Sequence, residues 1–343
     1  MLRSLCALAL IAMLPACASH SEPPFREPLL PIVWPLPPDP PRVRYVTSLV
    51  GETDIRSFVH RSWWSRIWTA ILGEAEPRKF VKPVDVAVDA EGTIYVADTA
   101  LSCVHVLDRV RGKYSCLREG DGDHDLESPV GIIAGPAGRL FVSDSTLAIV
   151  VVYGPDRKVI RAIGDGSLKR PAGIALGPDG SLYVADAAAH QILRFDVDGH
   201  ESARYGRRGK GPGEFNFPTH LTVDSDGDLW VVDTLNFRVQ HLDSRGGFVE
   251  AFGKTGDGTG NIGRPKGIAV GPGKTLWLVD AMFDVIQLFR PDGRLLLVVG
   301  GQGRSPGQFW LPSGIAMTPE GRVYVADSYN ARVQVFDGAG ARP

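Results

Sequence analysis

Short runs of β-branched and aromatic residues, separated by turn residues, recur six times along this chain. Each copy opens with a proline and carries an aspartate fifteen residues later, at the end of its second apolar run. The prolines are Pro83, Pro129, Pro171, Pro218, Pro265 and Pro312, and the aspartates are Asp98, Asp144, Asp186, Asp233, Asp280 and Asp327. Successive copies lie 46, 42, 47, 47 and 47 residues apart. This period predicts an all-β, six-bladed β-propeller in which each copy is one four-stranded blade.

The fourth copy illustrates how one blade is encoded. Short apolar runs at 220–223 and 229–232 predict the two inner strands, and a glycine turn separates them. The segment 238–242, RVQHL, alternates with the period of a half-buried third strand, and 248–252 follows a Gly-Gly turn as the outer strand. In the fifth copy Lys274 replaces the first turn glycine and Gly273 precedes it, so we expect that turn to be rearranged by one residue.

The repeated aspartates are predicted to be structural. One active site does not need six equivalent carboxylates, whereas an Asp at a strand end stabilises a turn by accepting backbone N–H bonds. The pairs Asn236-Arg238 and Asn330-Arg332 follow this aspartate in two blades and receive the same interpretation.

The sixth copy ends before its outer strand, since only six residues follow Asp337. An unpaired strand edge is a liability, so the missing strand is expected from elsewhere in the chain. The segment 42–50, RVRYVTSLV, has a strand-like pattern and precedes the first blade. We therefore predict one propeller domain over residues 42–337, closed by an N-terminal strand and followed by a tail at 338–343.

Two copies carry a family resemblance. The segments GIALGPDGSLYVADAAAHQILRFD and GIAMTPEGRVYVADSYNARVQVFD resemble NHL repeats. Over residues 42–337 the chain resembles bacterial six-bladed NHL-repeat propeller proteins, with a lipoprotein-type N-terminus. The resemblance implies a platform that binds a ligand or a protein more than it implies a reaction, because propellers host many unrelated functions.

The N-terminus predicts export and lipid anchoring. Arg3 and the apolar run 5–14 form a signal peptide, and the sequence Leu-Pro-Ala-Cys that ends at Cys17 fits the lipobox of bacterial lipoproteins. We predict a signal peptide at 1–16 and lipidation of Cys17; an ordinary signal peptide with an incidental cysteine is the alternative. Ala18 follows the cysteine, which favours the outer membrane, facing the periplasm or the surface, if the host is Gram-negative.

Two segments near the N-terminus are predicted to lie outside the regular blades. Residues 17–41 form a Pro-rich linker, with nine prolines among the nineteen residues 23–41, which favours an extended polyproline stalk. A ligand for a proline-recognition domain is the alternative. A helix near 56–73 is predicted from the stripe that contains Trp63, Trp64 and Trp68. This helix either packs on the propeller or lies in the membrane interface.

The remaining cysteines and the charge limit the chemistry. Cys103 and Cys116 lie on the third and outer strands of the first blade, on either side of one turn, and an oxidising compartment permits a disulfide between them. The formal net charge of −2 does not favour binding to nucleic acid, which usually needs a basic surface, and no nucleic-acid partner is expected. We expect a monomer.

One row of residues predicts a ligand site at the mouth of the central channel. The residues two positions after the prolines are Asp85, Gly131, Gly173, His220, Gly267 and Gly314. Asp85 and His220 are the polar exceptions, and blades one and four lie opposite each other in a ring of six. These two residues are therefore the candidate ligand-binding pair.

No catalytic residue, metal ligand or cofactor is assigned. Zinc needs three or four ligands, and His220 is the only histidine in this row. A calcium-dependent lactonase of the gluconolactonase type needs several oxygen ligands, and Asp85 is the only carboxylate there. The sequence thus favours an extracytoplasmic, lipid-anchored platform that binds an envelope protein, a polymer or a ligand without catalysis. The alternative is a metal-dependent, lactonase-like hydrolase or a lyase with its site at the channel mouth.

Overall fold

The computed structural model describes residues 28, 30–56, 76–122, 124–256 and 258–338. Ahead of the first blade lie two strands, β1 (Val33–Trp34) and β2 (Val43–Leu49), and the short helix α1 (Thr53–Arg56). Single 3-10 turns occur at Pro136–Gly138, Thr234–Asn236, Pro272–Lys274 and Ser328–Asn330. None of the helices in the described ranges has the length and apolar character needed to cross a membrane.

Six antiparallel sheets follow the six repeats, which confirms the predicted six-bladed propeller. Blade one contains β3 (Pro83–Val88), β4 (Ile94–Asp98), β5 (Cys103–Asp108) and β6 (Lys113–Leu117). Blade two contains β7 (Pro129–Ala134), β8 (Leu140–Asp144), β9 (Ile149–Tyr153) and β10 (Val159–Ile163). Blade three contains β11 (Pro171–Leu176), β12 (Leu182–Asp186), β13 (Gln191–Phe195) and β14 (Glu201–Tyr205).

The second half of the ring repeats the arrangement. Blade four contains β15 (Pro218–Val223), β16 (Leu229–Asp233), β17 (Arg238–Leu242) and β18 (Phe248–Phe252). Blade five contains β19 (Pro265–Val270), β20 (Leu276–Asp280), β21 (Val285–Phe289) and β22 (Leu295–Gly300). Blade six contributes β23 (Pro312–Met317), β24 (Arg322–Asp327) and β25 (Arg332–Gly338). The innermost strands of consecutive blades contact each other around the ring, and β23 contacts β3 to complete it.

The N-terminal strand closes the ring, as predicted. Strand β2 pairs antiparallel with β25, from Val43 opposite Gly338 to Leu49 opposite Val333. Strand β1 then pairs with β2 and makes blade six five-stranded. The proline content of 17–41 does not predict β1, which needs only the two proline-free residues 33–34. The Trp34 ring packs edge-on against Phe336, with ring centroids 5.9 Å apart, so this end of the linker is docked on the domain.

The repeated aspartates hold the loops at one face of the ring. All six are fully buried. Asp98 accepts backbone N–H bonds from Val81 at 2.7 Å, in the loop before its blade, and from Ala100 at 3.0 Å, in the loop after its strand. In blades four and six the same carboxylate also accepts bonds from the following Asn and Arg side chains. These contacts are those of the structural role that the sequence predicts.

The rearranged turn of blade five is present where the sequence places it. Gly273 and Lys274 both adopt positive φ, at 65° and 59°. The hydrophobic core lies between neighbouring blades; Trp277 and Val279 of blade five, for example, pack in one cluster with Val323 and Phe336 of blade six. The predicted signal peptide, Cys17 and most of the predicted helix at 56–73 lie outside the described residues.

Candidate functional site

Glycines let the innermost strands approach each other closely around the channel. A Cβ atom built on Gly131 would lie 2.3 Å from the Ala172 carbonyl oxygen of the next blade. On Gly173 it would lie 2.6 Å from the Cα of His220, and on Gly314 it would lie 2.0 Å from Oδ1 of Asp85. Because such contacts are too short for any side chain, the channel is narrow at the level of these glycines. Asp85 and His220, the two residues of this row that have larger side chains, fill the channel at that level.

Asp85 and His220, the predicted pair, meet across the channel at this level. Oδ1 of Asp85 lies 3.8 Å from Nε2 of His220, and their side chains are 5% and 13% exposed. Oδ2 of Asp85 accepts a hydrogen bond from the backbone N–H of Ile132 at 3.0 Å, and Oδ1 accepts one from Val86 at 2.9 Å. Nδ1 of His220 accepts the backbone N–H of Ile268 at 3.4 Å.

The two residues have equivalent structural roles in their blades. Each binds the backbone N–H three positions after the proline of the next blade, at Ile132 for Asp85 and at Ile268 for His220. Since Nδ1 of His220 acts as an acceptor, the proton of the neutral ring lies on Nε2 and faces Asp85. Both side chains therefore stabilise the ring in addition to lining the channel.

This pair divides the channel into two chambers. The upper chamber, of about 210 Å³, is lined by the residues directly after the six prolines, which are Val84, Val130, Ala172, Thr219, Lys266 and Ser313. The lower chamber, of about 240 Å³, is lined by the residues three positions after the prolines, which are Val86, Ile132, Ile174, Leu221, Ile268 and Ile315. Asp85 and His220 are the residues that line both chambers.

The upper chamber carries positive charge. Lys266 lies on its wall, and within the described ranges its ammonium group has no hydrogen-bond or ion-pair partner. Burial, together with the positive charges of Arg264, Lys82 and Arg170, lowers the pKa of Lys266 to about 8. Arg170 also lines the chamber, near the solvent, with its guanidinium 5.6 Å from the centroid of the Phe217 ring.

The sequence interpretation did not select these cations, although a signal was present. Lys266 is the only charged residue among the six that directly follow the prolines. The residues directly before the prolines include Lys82, Arg170 and Arg264, which belong to blades one, three and five. A comparison of the rows on either side of the proline, in addition to the glycine row, would have identified a basic mouth.

The upper chamber does not fit a divalent cation of the kind that a gluconolactonase-type site implies. Calcium takes six to eight oxygen ligands, commonly from several carboxylates. Asp85 is the only carboxylate among the residues that line the chamber, and both of its oxygens already accept backbone N–H bonds. Lys266 and Arg170 share the same chamber and would repel a cation. The lining of the upper chamber therefore does not supply a calcium site.

The two cysteines of blade one form a disulfide in the structure, with a Cα–Cα distance of 5.9 Å between Cys103 and Cys116. His105 lies beside it, fully buried, with Nε2 3.4 Å from the repeated aspartate Asp98. Because both thiols are consumed by the bond, this group of side chains is not available as a metal site.

The fold and the site define a six-bladed propeller with a cavity at the mouth of its central channel. Residues 56–253 match the family model of the SMP-30/Gluconolactonase/LRE-like region, and residues 309–336 match the NHL repeat. The chain belongs to the SMP-30/gluconolactonase/LRE-like family. No curated protein matches it by sequence.

Solved structures with this fold have different activities in their names. Virginiamycin B lyase from Staphylococcus aureus is 17% identical, with a TM-score of 0.55, and the match covers 77% of this chain and 85% of that one. A gluconolactonase from Xanthomonas campestris is 16% identical, with a TM-score of 0.58 and coverage of 76% and 87%. An auxiliary nutrient-binding protein from Bacteroides ovatus is 14% identical, with a TM-score of 0.58 and coverage of 75% and 69%. At these identities the likeness shows the fold alone.

Proposed function

We propose that this protein is an exported, lipid-anchored propeller that binds a small ligand in the upper chamber and has no catalysis of its own. The proposal rests on which polar groups of the upper chamber already have hydrogen-bond partners. The carboxylate oxygens of Asp85 and Nδ1 of His220 bind backbone N–H groups of the ring, whereas Lys266 faces the chamber with no partner in the described ranges. Asp85 and His220 therefore stabilise the ring, whereas the ammonium group of Lys266 is available to bind a ligand.

The size of the chamber supports a small ligand. Its volume of about 210 Å³ is below the range of ~300–1,000 Å³ that is typical of sites for drug-sized molecules. The nutrient-binding protein among the structural neighbours gives a precedent for binding by this fold. Family membership and the gluconolactonase neighbour favour the alternative, a metal-dependent hydrolase, but the residues of the chamber do not supply its ligands.

The anchor is proposed from the sequence. Lipid on Cys17 would hold the propeller at the envelope, at the outer membrane in a Gram-negative host, through the Pro-rich linker. The disulfide between Cys103 and Cys116 supports an oxidising compartment, because cytosolic thiols are kept reduced. An envelope protein or polymer that receives or supplies the ligand is the proposed partner.

A ligand screen tests the chamber. The thermal midpoint of the protein would be measured with sugars, lactones, amino acids and small acids, because a ligand that binds the folded state raises the midpoint. Ser313→Trp fills the upper chamber and should abolish every shift, whereas Ser225→Trp on an exposed turn should retain them. Ala172→Leu is the milder filling variant if the tryptophan prevents folding. Shifts that persist in both filling variants would place the ligand elsewhere and overturn the proposal.

The same samples test the alternative. Lactone hydrolysis would be followed with calcium or zinc added and then removed by a chelator. Turnover that needs the metal and is lost in Asp85→Asn would establish the hydrolase and contradict the absence of catalysis.

Fractionation of cells that express the full chain tests the anchor. Cys17→Ser should move the protein from the detergent-extracted membrane fraction to the soluble fraction. Cys6→Ser, a control within the predicted signal peptide, should leave it with the membrane. Membrane retention of the Cys17→Ser protein would show that another segment holds it there.

A further inference from the structure

We propose that the ligand of the upper chamber is a small oxyanion, a molecule with a carboxylate or phosphate group, which Lys266 binds within the chamber and Arg170 binds at its entrance. The proposal rests on the proposed function, because it assigns a chemical class to the ligand of that same chamber.

Lys266 has no ion-pair partner among the described residues. Its ammonium group lies in a partly buried position, and among the described residues no carboxylate oxygen lies within ion-pair distance of it. A buried charge without a partner is costly unless the group loses its proton or gains an opposite charge. An oxyanion in the chamber supplies that charge, whereas a neutral ligand would leave the lysine unsatisfied.

Lys266 is surrounded by further positive charges. Lys82, Arg170 and Arg264 are exposed, and each precedes the proline of an alternate blade, so three blades place a cation around the entrance. All three act on Lys266 and lower its pKa. The other titratable residues that line the chamber are Asp85 and His220, and both oxygens of Asp85 are already hydrogen-bonded. The potential in the chamber therefore favours an anion.

Arg170 lies at the entrance of the upper chamber, beside an aromatic ring whose backbone is held in place. Its guanidinium lies over the Phe217 ring, and the backbone N–H of Phe217 donates to Nδ1 of His190 at 3.0 Å. Phe217 has a φ of 62°, so its backbone lies in the left-handed region, where that hydrogen bond helps to hold it. The guanidinium is planar, and its fork of N–H donors matches the two oxygens of a carboxylate or phosphate.

Calorimetric titration with defined probes tests the class of ligand. Inorganic phosphate and citrate represent the two kinds of oxyanion, and glucose and gluconolactone are neutral probes. We expect at least one anion to bind, and we expect Lys266→Met to weaken it tenfold or more. Lys113→Met, on the exposed outer strand of blade one, makes the same charge change and should leave the affinity unchanged.

The protonation of Lys266 gives a second readout. A bound anion raises the pKa of Lys266 from about 8, so near pH 8.5 binding should take up a proton. Titrations in two buffers with different ionisation enthalpies measure this uptake, which Lys266→Met should abolish. Asp85 and His220 are unchanged in that variant, so a contribution from either would remain.

The outcomes separate this proposal from the proposed function. If neutral compounds bind, Ser313→Trp blocks them and no anion binds, the chamber is a ligand site and the oxyanion proposal is wrong. If anions bind equally well to Lys266→Met and Lys113→Met, the chamber is not their site and the proposal is also wrong. If no compound of either kind stabilises the protein, both proposals are overturned.

Discussion

The two chambers of the channel are built from the same six strands, yet they differ in chemistry. The upper chamber contains two cations, three hydroxyl side chains and the Asp85–His220 pair. Below that pair, the lower chamber is lined by aliphatic residues, Met317 and a single hydroxyl side chain, Thr222. The lining changes over a step of two residues along each strand, from the position directly after the proline to the position three after it.

This difference shows where function lies in a repeat protein. The positions that all six blades share, such as the proline and the buried aspartate, hold the ring together and are alike in both halves of the molecule. The lower chamber is lined by the apolar side chains that also build the core between blades, among them Ile268 and Ile315. Lys266, Asp85 and His220 depart from their rows, and all three line the upper chamber. Of these three departures, Lys266 lines only the upper chamber, whereas Asp85 and His220 line both chambers and separate them.

The largest expected effect comes from making the upper chamber as apolar as the lower one. Lys266→Met should raise the free energy of unfolding at pH 7 by up to about 3 kcal/mol, because each unit between pKa values of 10.5 and about 8 corresponds to ~1.4 kcal/mol. The folded protein disfavours the charged lysine, so the full gain is present below about pH 8. The gain declines as the pH rises from about 8 to about 10.5, and above that pH the lysine is neutral in both states.

Chemical denaturation across this pH range measures the effect of Lys266→Met, with Lys113→Met as the control that should change little. A variant that is less stable than the wild type at pH 7 would show that the charge of Lys266 is compensated in the folded protein. The two chambers would then be electrostatically more alike than the structure indicates.

Asp85 and His220 form the wall between the two chambers, and a smaller effect is expected from removing the Asp85 side chain. Asp85→Ala leaves the backbone N–H groups of Ile132 and Val86 without their acceptor, which should cost about 1–3 kcal/mol of unfolding free energy. Asp196→Ala also removes an aspartate that accepts two backbone N–H bonds, from Asp198 and His200, but in an exposed turn where water replaces it. That control should cost less than about 1 kcal/mol.

Urea denaturation of the two alanine variants makes the comparison. Asp85→Asn, which keeps one acceptor oxygen, should fall between the wild type and Asp85→Ala. Equal losses for Asp85→Ala and Asp196→Ala would mean that Asp85 is as accessible to water as a surface residue, and that the chambers form one continuous channel.

Much of this arrangement can be predicted from the sequence, because it follows from the period. Six copies give six blades, a truncated last copy gives closure by 42–50, and a ring of six places Asp85 opposite His220. The separation of the chambers does not follow from spacing, since it depends on how closely the glycine row packs. The lowered pKa of Lys266 depends on the burial of its position and on the cations that precede the first strands of blades one, three and five. Strand β1 is too short to leave a pattern.

The smallest expected effect is the coupling energy between Asp85 and His220, the two residues that form the wall. This energy tests whether the two side chains interact with each other. Oδ1 of Asp85 and Nε2 of His220 lie 3.8 Å apart, beyond hydrogen-bond distance, and each side chain has its own backbone partner. A double-mutant cycle with Asp85→Ala and His220→Ala should therefore give a coupling energy below about 1 kcal/mol near neutral pH. The buried pair Asp327 and Arg332, which is hydrogen-bonded at 2.7 Å, should give a larger coupling in the same assay. A coupling for Asp85 and His220 that equals the value for Asp327 and Arg332 would show that they share a direct hydrogen bond. The wall would then be a single element that opens as a whole, and a ligand in the upper chamber would be coupled to the lower one.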